Sequence, residues 1–230
     1  MPTSPQSKRP QSTRTSSKTQ PMHQSRHSIL YVAAALIAVL VVLFVIYNNA
    51  SSKNNPTGSG VKGAYAVGSP GIGKTAPNFS LQSATGGTVS LADYRGKNVL
   101  LYFQEGLTCQ PCWTQITDLE KASKAVKAAR VDAIISITTD SADLLTQKVK
   151  DQGITSTPVL SDPDLVVSRK YETNNYGMMG NSRDGHSFIL VGPDGQIKWR
   201  ADYGGAPNYT MYVPVKHLLE SLGDLETSTP

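Results

Sequence analysis

Apolar positions along the chain fall into two regimes. The first is one unbroken block, Ile29 to Tyr47 (ILYVAAALIAVLVVLFVIY), 19 residues without a charge. At about 1.5 Å per residue it is long enough to cross a hydrocarbon core, so a transmembrane helix is predicted over 29–47. Residues 48–71 are rich in Ser, Asn, Gly and Pro and read as a flexible linker. From 72 to 222 the second regime begins: short apolar runs separated by turn residues and amphipathic stretches, the pattern of one folded domain.

Within that domain Phe79–Gln82 reads as a strand, Thr85–Thr88 as a hairpin-like turn and Val89–Tyr94 as a second extended segment. Val99–Phe103 is uniformly apolar, as in a strand buried on both faces. Gln104–Thr108 is a loop. A helix follows, with Pro111 in its first turn and Ile116, Leu119, Ser123 and Val126 along one face through Arg130. Asp132–Thr138 is a further buried strand, and Ala142–Lys150 a helix whose apolar face is Leu144, Leu145 and Val149. A brief strand at Pro158–Leu160, a helix from Asp164 to Tyr171, two strands at Ser187–Val191 and Gln196–Arg200 around the turn Gly192–Gly195, and a helix at Val215–Leu222 complete the pattern. This order predicts an α/β domain with a central mixed sheet flanked by helices, preceded by one transmembrane helix.

Charge changes the picture at one end only. Lys8, Arg9, Arg14, Lys18 and Arg26 precede the apolar block without a single acidic residue, and residues 1–28 read as a disordered basic tail. The other 17 Lys and Arg match the 17 Asp and Glu, so the folded part is neutral and the basic balance is no argument for nucleic-acid binding. Only Lys53 and Lys62 closely follow the block, which puts the N-terminus in the cytoplasm and the domain outside. A cleaved signal peptide fits less well: the apolar stretch is too long, and Asn48-Asn49-Ala50 is a poor cleavage site. Residues 223–230 are a C-terminal tail.

The candidate chemistry lies in Cys109-Gln110-Pro111-Cys112, the only two cysteines, at the joint between a buried strand and a helix start. Backbone N–H groups at a helix N-terminus stabilise a thiolate and lower its pKa. A purely structural disulfide across two residues contributes little stability, and a zinc site wants four ligands, for which no second cysteine pair or paired histidines exist. A redox dithiol needs only two sulfurs and one activated thiolate, and it is the favoured reading.

These residues resemble the thioredoxin-like superfamily, in the branch shared by thiol-specific antioxidant (peroxiredoxin) proteins and membrane-tethered extracytoplasmic thioredoxins. The resemblance rests on Gly73–Leu81, Val89–Lys97, Cys109–Cys112 and Phe188–Gly195. It implies a thioredoxin-like fold and a thiol-disulfide oxidoreductase that needs no cofactor beyond the redox-active Cys109–Cys112 disulfide. Its implied partners are protein thiols and disulfides outside the membrane, with a membrane thiol-electron carrier behind them. On the thioredoxin side, Cys109 is the nucleophile and Cys112 resolves the mixed disulfide. On the peroxiredoxin side, Cys112 takes the place of the peroxidatic cysteine; the family's threonine is then Cys109 and its loop proline Glu105.

Three neighbours depart from the thioredoxin pattern. Phe103 stands where the family has a buried aspartate. Glu105, two residues on with the same strand parity, is the candidate proton relay. His186 stands where thioredoxins have a cis-proline and peroxiredoxins an arginine, and it is expected beside the sulfurs as a fourth catalytic residue. His186 also brings in a resemblance to membrane-anchored copper chaperones, which implies Cu(I) binding by Cys109, Cys112 and His186 as an alternative; otherwise no metal is expected. Trp113 and Pro111, at the mouth of the site, are the expected substrate-binding residues. Tyr176–Asn181 is a glycine-flanked loop in which Met178 and Met179 read as adaptable packing.

Overall fold

The computed structural model describes residues 26–51 and 65–227, with side chains described at 31–32, 34–44 and 65–223. The basic tail up to residue 25 and the linker from 52 to 64 lie outside the described residues, as do the last three of the C-terminal tail. The chain divides into two units at Lys53 and Asn54.

The first unit holds α1 (Arg26–Ser51), which extends the sequence expectation at both ends. Its apolar side chains from Leu36 to Phe44 are exposed at successive positions, and therefore around the whole helix. Among the residues whose side chains are described, which in α1 are 31–32 and 34–44, no helical stretch is long and apolar enough to cross a membrane.

The second unit is built on seven strands: β1 (Ser80–Ser83), β2 (Thr88–Ser90), β3 (Val99–Phe103), β4 (Ala133–Thr138), β5 (Val159–Ser161), β6 (Ser187–Val191) and β7 (Ile197–Asp202). They form one sheet in the order β2-β1-β5-β4-β3-β6-β7, with β3, β4 and β5 parallel and the remaining neighbours antiparallel. The helices are α2 (Gln110–Lys121), α3 (Ser123–Ala128), α4 (Ala142–Asp151), α5 (Val166–Lys170) and α6 (Val215–Thr227). Parallel strands need crossover connections, and α2 with α3, then α4, supply them. The mixed sheet flanked by helices agrees with the expected α/β fold.

Alternation along β3 decides which residues face the site. Leu100 and Tyr102 join the core layer that contains Cys109, Cys112, Trp113, Ile116, Phe188 and Trp199. Val99, Leu101 and Phe103 point into the opposite layer with Ile135, Ile137 and Tyr171. Phe103 therefore lies on the face away from the sulfurs, and Tyr102, one residue earlier, occupies the face beneath them.

Several boundaries differ from expectation. The long helix after Pro111 breaks at Ala122, whose ψ of 18° leaves the helical range, and α3 restarts at Ser123. Leu144 is exposed; Ala142 takes its place with Leu145 and Val149, because spacing of three and four residues keeps those three on one stripe. The predicted linker also ends earlier than residue 71. Ala66 pairs with Asp202 beside β7, Gly68 N–H donates to Asp202, and the Tyr65 ring packs 5.2 Å from that of Tyr203. Met178 and Met179 are more than half exposed, so they do not serve as packing.

Candidate active site

The site begins where β3 ends. Gln104 Oε1 accepts the Gly106 N–H at 2.7 Å and turns the chain out of the sheet. Gly106 sits at a φ of +92°, and a Cβ there would lie 1.8 Å from Asp140 Oδ2, so only glycine fits. That same Asp140 oxygen accepts Leu107 N–H at 2.7 Å, and Arg183 closes the loop from the other side. Its guanidinium donates to the Glu105 carbonyl at 2.9 Å and to Asp140 Oδ1 at 3.0 Å. The loop that carries the first cysteine is thus fastened by one carboxylate and one guanidinium from two other segments.

Cys109 caps α2: its Sγ accepts the Cys112 N–H at 3.3 Å. The two cysteines are joined in a disulfide with their Cα atoms 5.3 Å apart. They are unequally placed. Cys109 retains 6% exposure among exposed Thr108, Gln110 and Pro111, whereas Cys112 is fully buried. A sulfur at the surface end of a helix N-terminus is the one that meets a partner and bears a thiolate most readily. Gln110 is fixed by α4, accepting from Lys148 Nζ and donating to Gln152, both at 3.0 Å.

Of the predicted site residues, the structure brings His186 to the pair. Its Nδ1 lies 4.0 Å from Cys112 Sγ and 2.9 Å from the Tyr102 hydroxyl. The ring is fully buried, stacked edge-on against Tyr102 and Phe188, and burial lowers its pKa to about 3, so the imidazole is neutral. An imidazolium does not suit this environment. Gly185 lets the segment close in, since a Cβ there would lie 1.6 Å from the Tyr176 carbonyl oxygen.

Glu105 is buried rather than solvated, but its carboxylate faces the 176–178 loop, where it accepts the Met178 N–H. The expected strand parity does not apply, because β3 ends at Phe103 and the chain has turned. Trp113 is not a substrate-facing aromatic. It is fully buried, with its indole N–H donating to the Gly106 carbonyl at 3.0 Å, because the first turn of α2 points it back beneath the loop. Pro111 is exposed at the mouth, as a substrate contact requires. For the copper alternative, no group of three His, Cys, Asp or Glu is arranged to hold a metal ion among the described residues, and the two sulfurs are bonded to each other.

Sequence reasoning missed Tyr102, Asp140 and Arg183. Tyr102 offered a signal, a hydroxyl inside an otherwise wholly apolar strand. Burial raises its pKa well above 10, with the Glu105 charge adding to the effect, so it stays a neutral phenol. Arg183 and Asp140 carry no local signal, because their roles arise only when two distant loops meet.

Residues 72–200 match the AhpC/TSA family. The chain is similar to a putative peroxiredoxin of Mycobacterium tuberculosis, 35% identical over 130 residues that cover 54% of this chain and 80% of the relative. Peroxiredoxin Bcp of Escherichia coli is 32% identical over 129 residues, 55% of this chain and 81% of that one. The thiol-disulfide oxidoreductase ResA of Geobacillus kaustophilus is 28% identical over 177 residues, 77% of this chain and 88% of the relative. Among solved structures, a reduced 2-Cys peroxiredoxin of Plasmodium vivax superposes with a TM-score of 0.55 at 24% identity, covering 68% of this chain and 82% of that chain. At that identity the superposition speaks for the thioredoxin-like fold alone.

Proposed function

The chain belongs to the AhpC/TSA family of thiol oxidoreductases, and on that premise we propose that it exchanges disulfides with protein substrates through Cys109 and Cys112. The observation that carries this reading is the unequal burial of the bridged pair, an outer Cys109 at the start of α2 and an enclosed Cys112 behind it. In the reducing direction the Cys109 thiolate attacks a substrate disulfide, and one substrate sulfur leaves. Cys112 then attacks Cys109 and releases the second substrate sulfur, re-forming the intramolecular disulfide. Pro111 contributes to the exposed rim that a substrate would meet.

The second reading is a thiol peroxidase with Cys112 as the attacking sulfur, favoured by the peroxiredoxins among the relatives. Full burial of Cys112 and the replacement of the family threonine by Cys109 count against it. Insulin reduction and peroxide consumption by the full-length chain, measured side by side, separate the two. Exchange without peroxide turnover is the expected result; peroxide turnover with a sulfenic acid on Cys112 would reverse the assignment.

The proposal includes a membrane anchor at 29–47 with the N-terminus cytoplasmic and the site outside, where disulfides persist and need management. It is supported by the apolar side chains exposed on all sides of α1 between Leu36 and Phe44 and by the five basic residues that precede the apolar block. A membrane thiol-electron carrier then completes the circuit. Retention in the alkaline-washed membrane fraction, with the domain open to external protease, tests the topology.

A further inference from the structure

The Tyr102–His186 contact fixes more than a position. Two tautomers of the buried imidazole fit the 2.9 Å contact between Nδ1 and the Tyr102 hydroxyl. In the first, Tyr102 donates to a bare Nδ1 and the ring hydrogen sits on Nε2, which has no hydrogen-bond partner among the described residues. In the second, Nδ1–H donates to the Tyr102 oxygen, Tyr102 donates onward to the Cys112 carbonyl at 3.4 Å, and Nε2 is left as a bare acceptor. A buried N–H without an acceptor is rarer and costs more than an unused lone pair, so the second arrangement prevails. It has a chemical consequence, because the hydrogen then sits on the nitrogen that lies 4.0 Å from Cys112 Sγ.

We propose that His186 is the hydrogen-bond donor that receives the Cys112 thiolate when the disulfide opens, its Nδ1–H tautomer selected by Tyr102. This deepens the exchange reading and rests on it. A substrate thiolate attacks Cys109 Sγ, a new S–S bond forms to the substrate, and the Cys109–Cys112 bond breaks. Its electron pair goes to Cys112 Sγ. The Nδ1–H swings from the phenol oxygen to the stronger anionic acceptor, and no proton changes hands. The reverse step regenerates the disulfide by the same path.

The surroundings favour a neutral donor over a base. His186 is enclosed by Tyr102 from β3, Cys112 from α2 and Phe188 from β6, while Tyr176, Tyr203 and Gly204 bond its main chain. The titratable groups among these are Cys112 and three phenols; those of Tyr102 and Tyr203 are held neutral by burial, the latter pushed up to about 12. Half-buried Tyr176 is likewise raised, by burial first and then by the Asp202 charge. Glu105 is the carboxylate whose charge reaches Tyr102. Tyr102 acts as a positioning residue, since it reaches the reacting sulfur only through the imidazole.

The test uses the full-length chain carrying Cys109→Ser, in which Cys112 is a lone thiol titrated by its ultraviolet thiolate absorbance. Its pKa is expected below the ordinary thiol value of about 8.5. His186→Phe, which removes the donor, raises it by about one unit or more, a tenfold loss of thiolate at a given pH below the pKa. His186→Asn places an amide N–H near the position of Nδ1 but cannot take up a proton, and holds the Cys112 pKa within about half a unit of the parent. Tyr102→Phe keeps the stack on Phe188, raises the Cys112 pKa partially and shifts the His186 nitrogen resonances from the Nδ1–H tautomer to a mixture. Equal shifts in the Asn and Phe variants, or no shift in either, would overturn the proposal. The titrations involve no substrate, so they stand apart from a failure of the wild-type chain to exchange disulfides with insulin.

Discussion

Asp162 and Asp184, two fully or almost fully buried carboxyls from separate loops, reach the same hydroxyl: Ser168 Oγ lies 2.6 Å from one and 2.9 Å from the other. A hydroxyl has one proton to give. Asp162 also accepts the N–H groups of Val167 and Ser168 at the start of α5 and takes the shorter bond from the hydroxyl. Asp184 must then donate its own proton to Ser168 while accepting from Thr173 at 2.7 Å. Burial, with the Asp162 charge adding, raises its pKa to about 8 against the opposing effect of the hydrogen bond from Thr173.

The pH dependence follows from that proton. The unfolded carboxyl ionises above about pH 4 and the folded one only near 8, so folding takes up a proton in between and the contribution to stability declines across that window. The slope is on the order of 1 kcal/mol per pH unit. Asp184→Asn, whose amide reproduces both hydrogen bonds, should flatten it, as urea unfolding at about pH 5 and pH 8 will show.

Arg183 and Asp140 form the clamp on the active-site loop. Arg183→Leu leaves Asp140 unpaired at 6% side-chain exposure and the Glu105 carbonyl without its donor. With the guanidinium itself 28% exposed and partly screened, the expected loss is about 1–3 kcal/mol in denaturant unfolding, together with slower exchange.

Gly106→Ala should be as damaging as the loss of that clamp. It combines a positive φ with a Cβ aimed at the pinned Asp140 carboxylate, for about 1–3 kcal/mol of strain. A lowered unfolding midpoint, with disulfide formation intact on oxidation, would separate loop strain from loss of the cysteine chemistry.

Trp113 tests the distinction between packing and recognition. Trp113→Ala empties a fully buried site and should cost about 3–5 kcal/mol. Trp113→Phe loses chiefly the bond to Gly106, about 1 kcal/mol, and should leave the KM for a protein disulfide within about twofold. A large rise in KM for the Phe variant would restore the substrate-contact role.

What could be read from the chain was whatever local pattern governs. The strands from Val99 and Ser187 declared themselves by uninterrupted apolar runs, and the Cys-x-x-Cys pair by its place between strand and helix. The errors occurred where a side chain's direction depends on a neighbour distant in sequence. Glu105 was expected to point toward the cysteines by strand parity, but β3 had already ended; Trp113 was expected at the mouth, but the loop folds over it. Arg183 and Asp140, separated by 43 residues, have no mark in the sequence that joins them. Phe103, at the family's aspartate position, faces away from the sulfurs and Tyr102 faces them, one residue being the distance over which a strand switches faces.

The central claim is that Cys109 is the sulfur that meets the substrate. The direct measurement is mass-spectrometric mapping of the mixed disulfide formed when full-length Cys112→Ser, in the reduced state, is mixed with a protein disulfide. A covalent complex through Cys109, absent in the Cys109→Ser chain, is predicted. A complex that forms instead through Cys112 in the Cys109→Ser chain, with none through Cys109, would contradict the account.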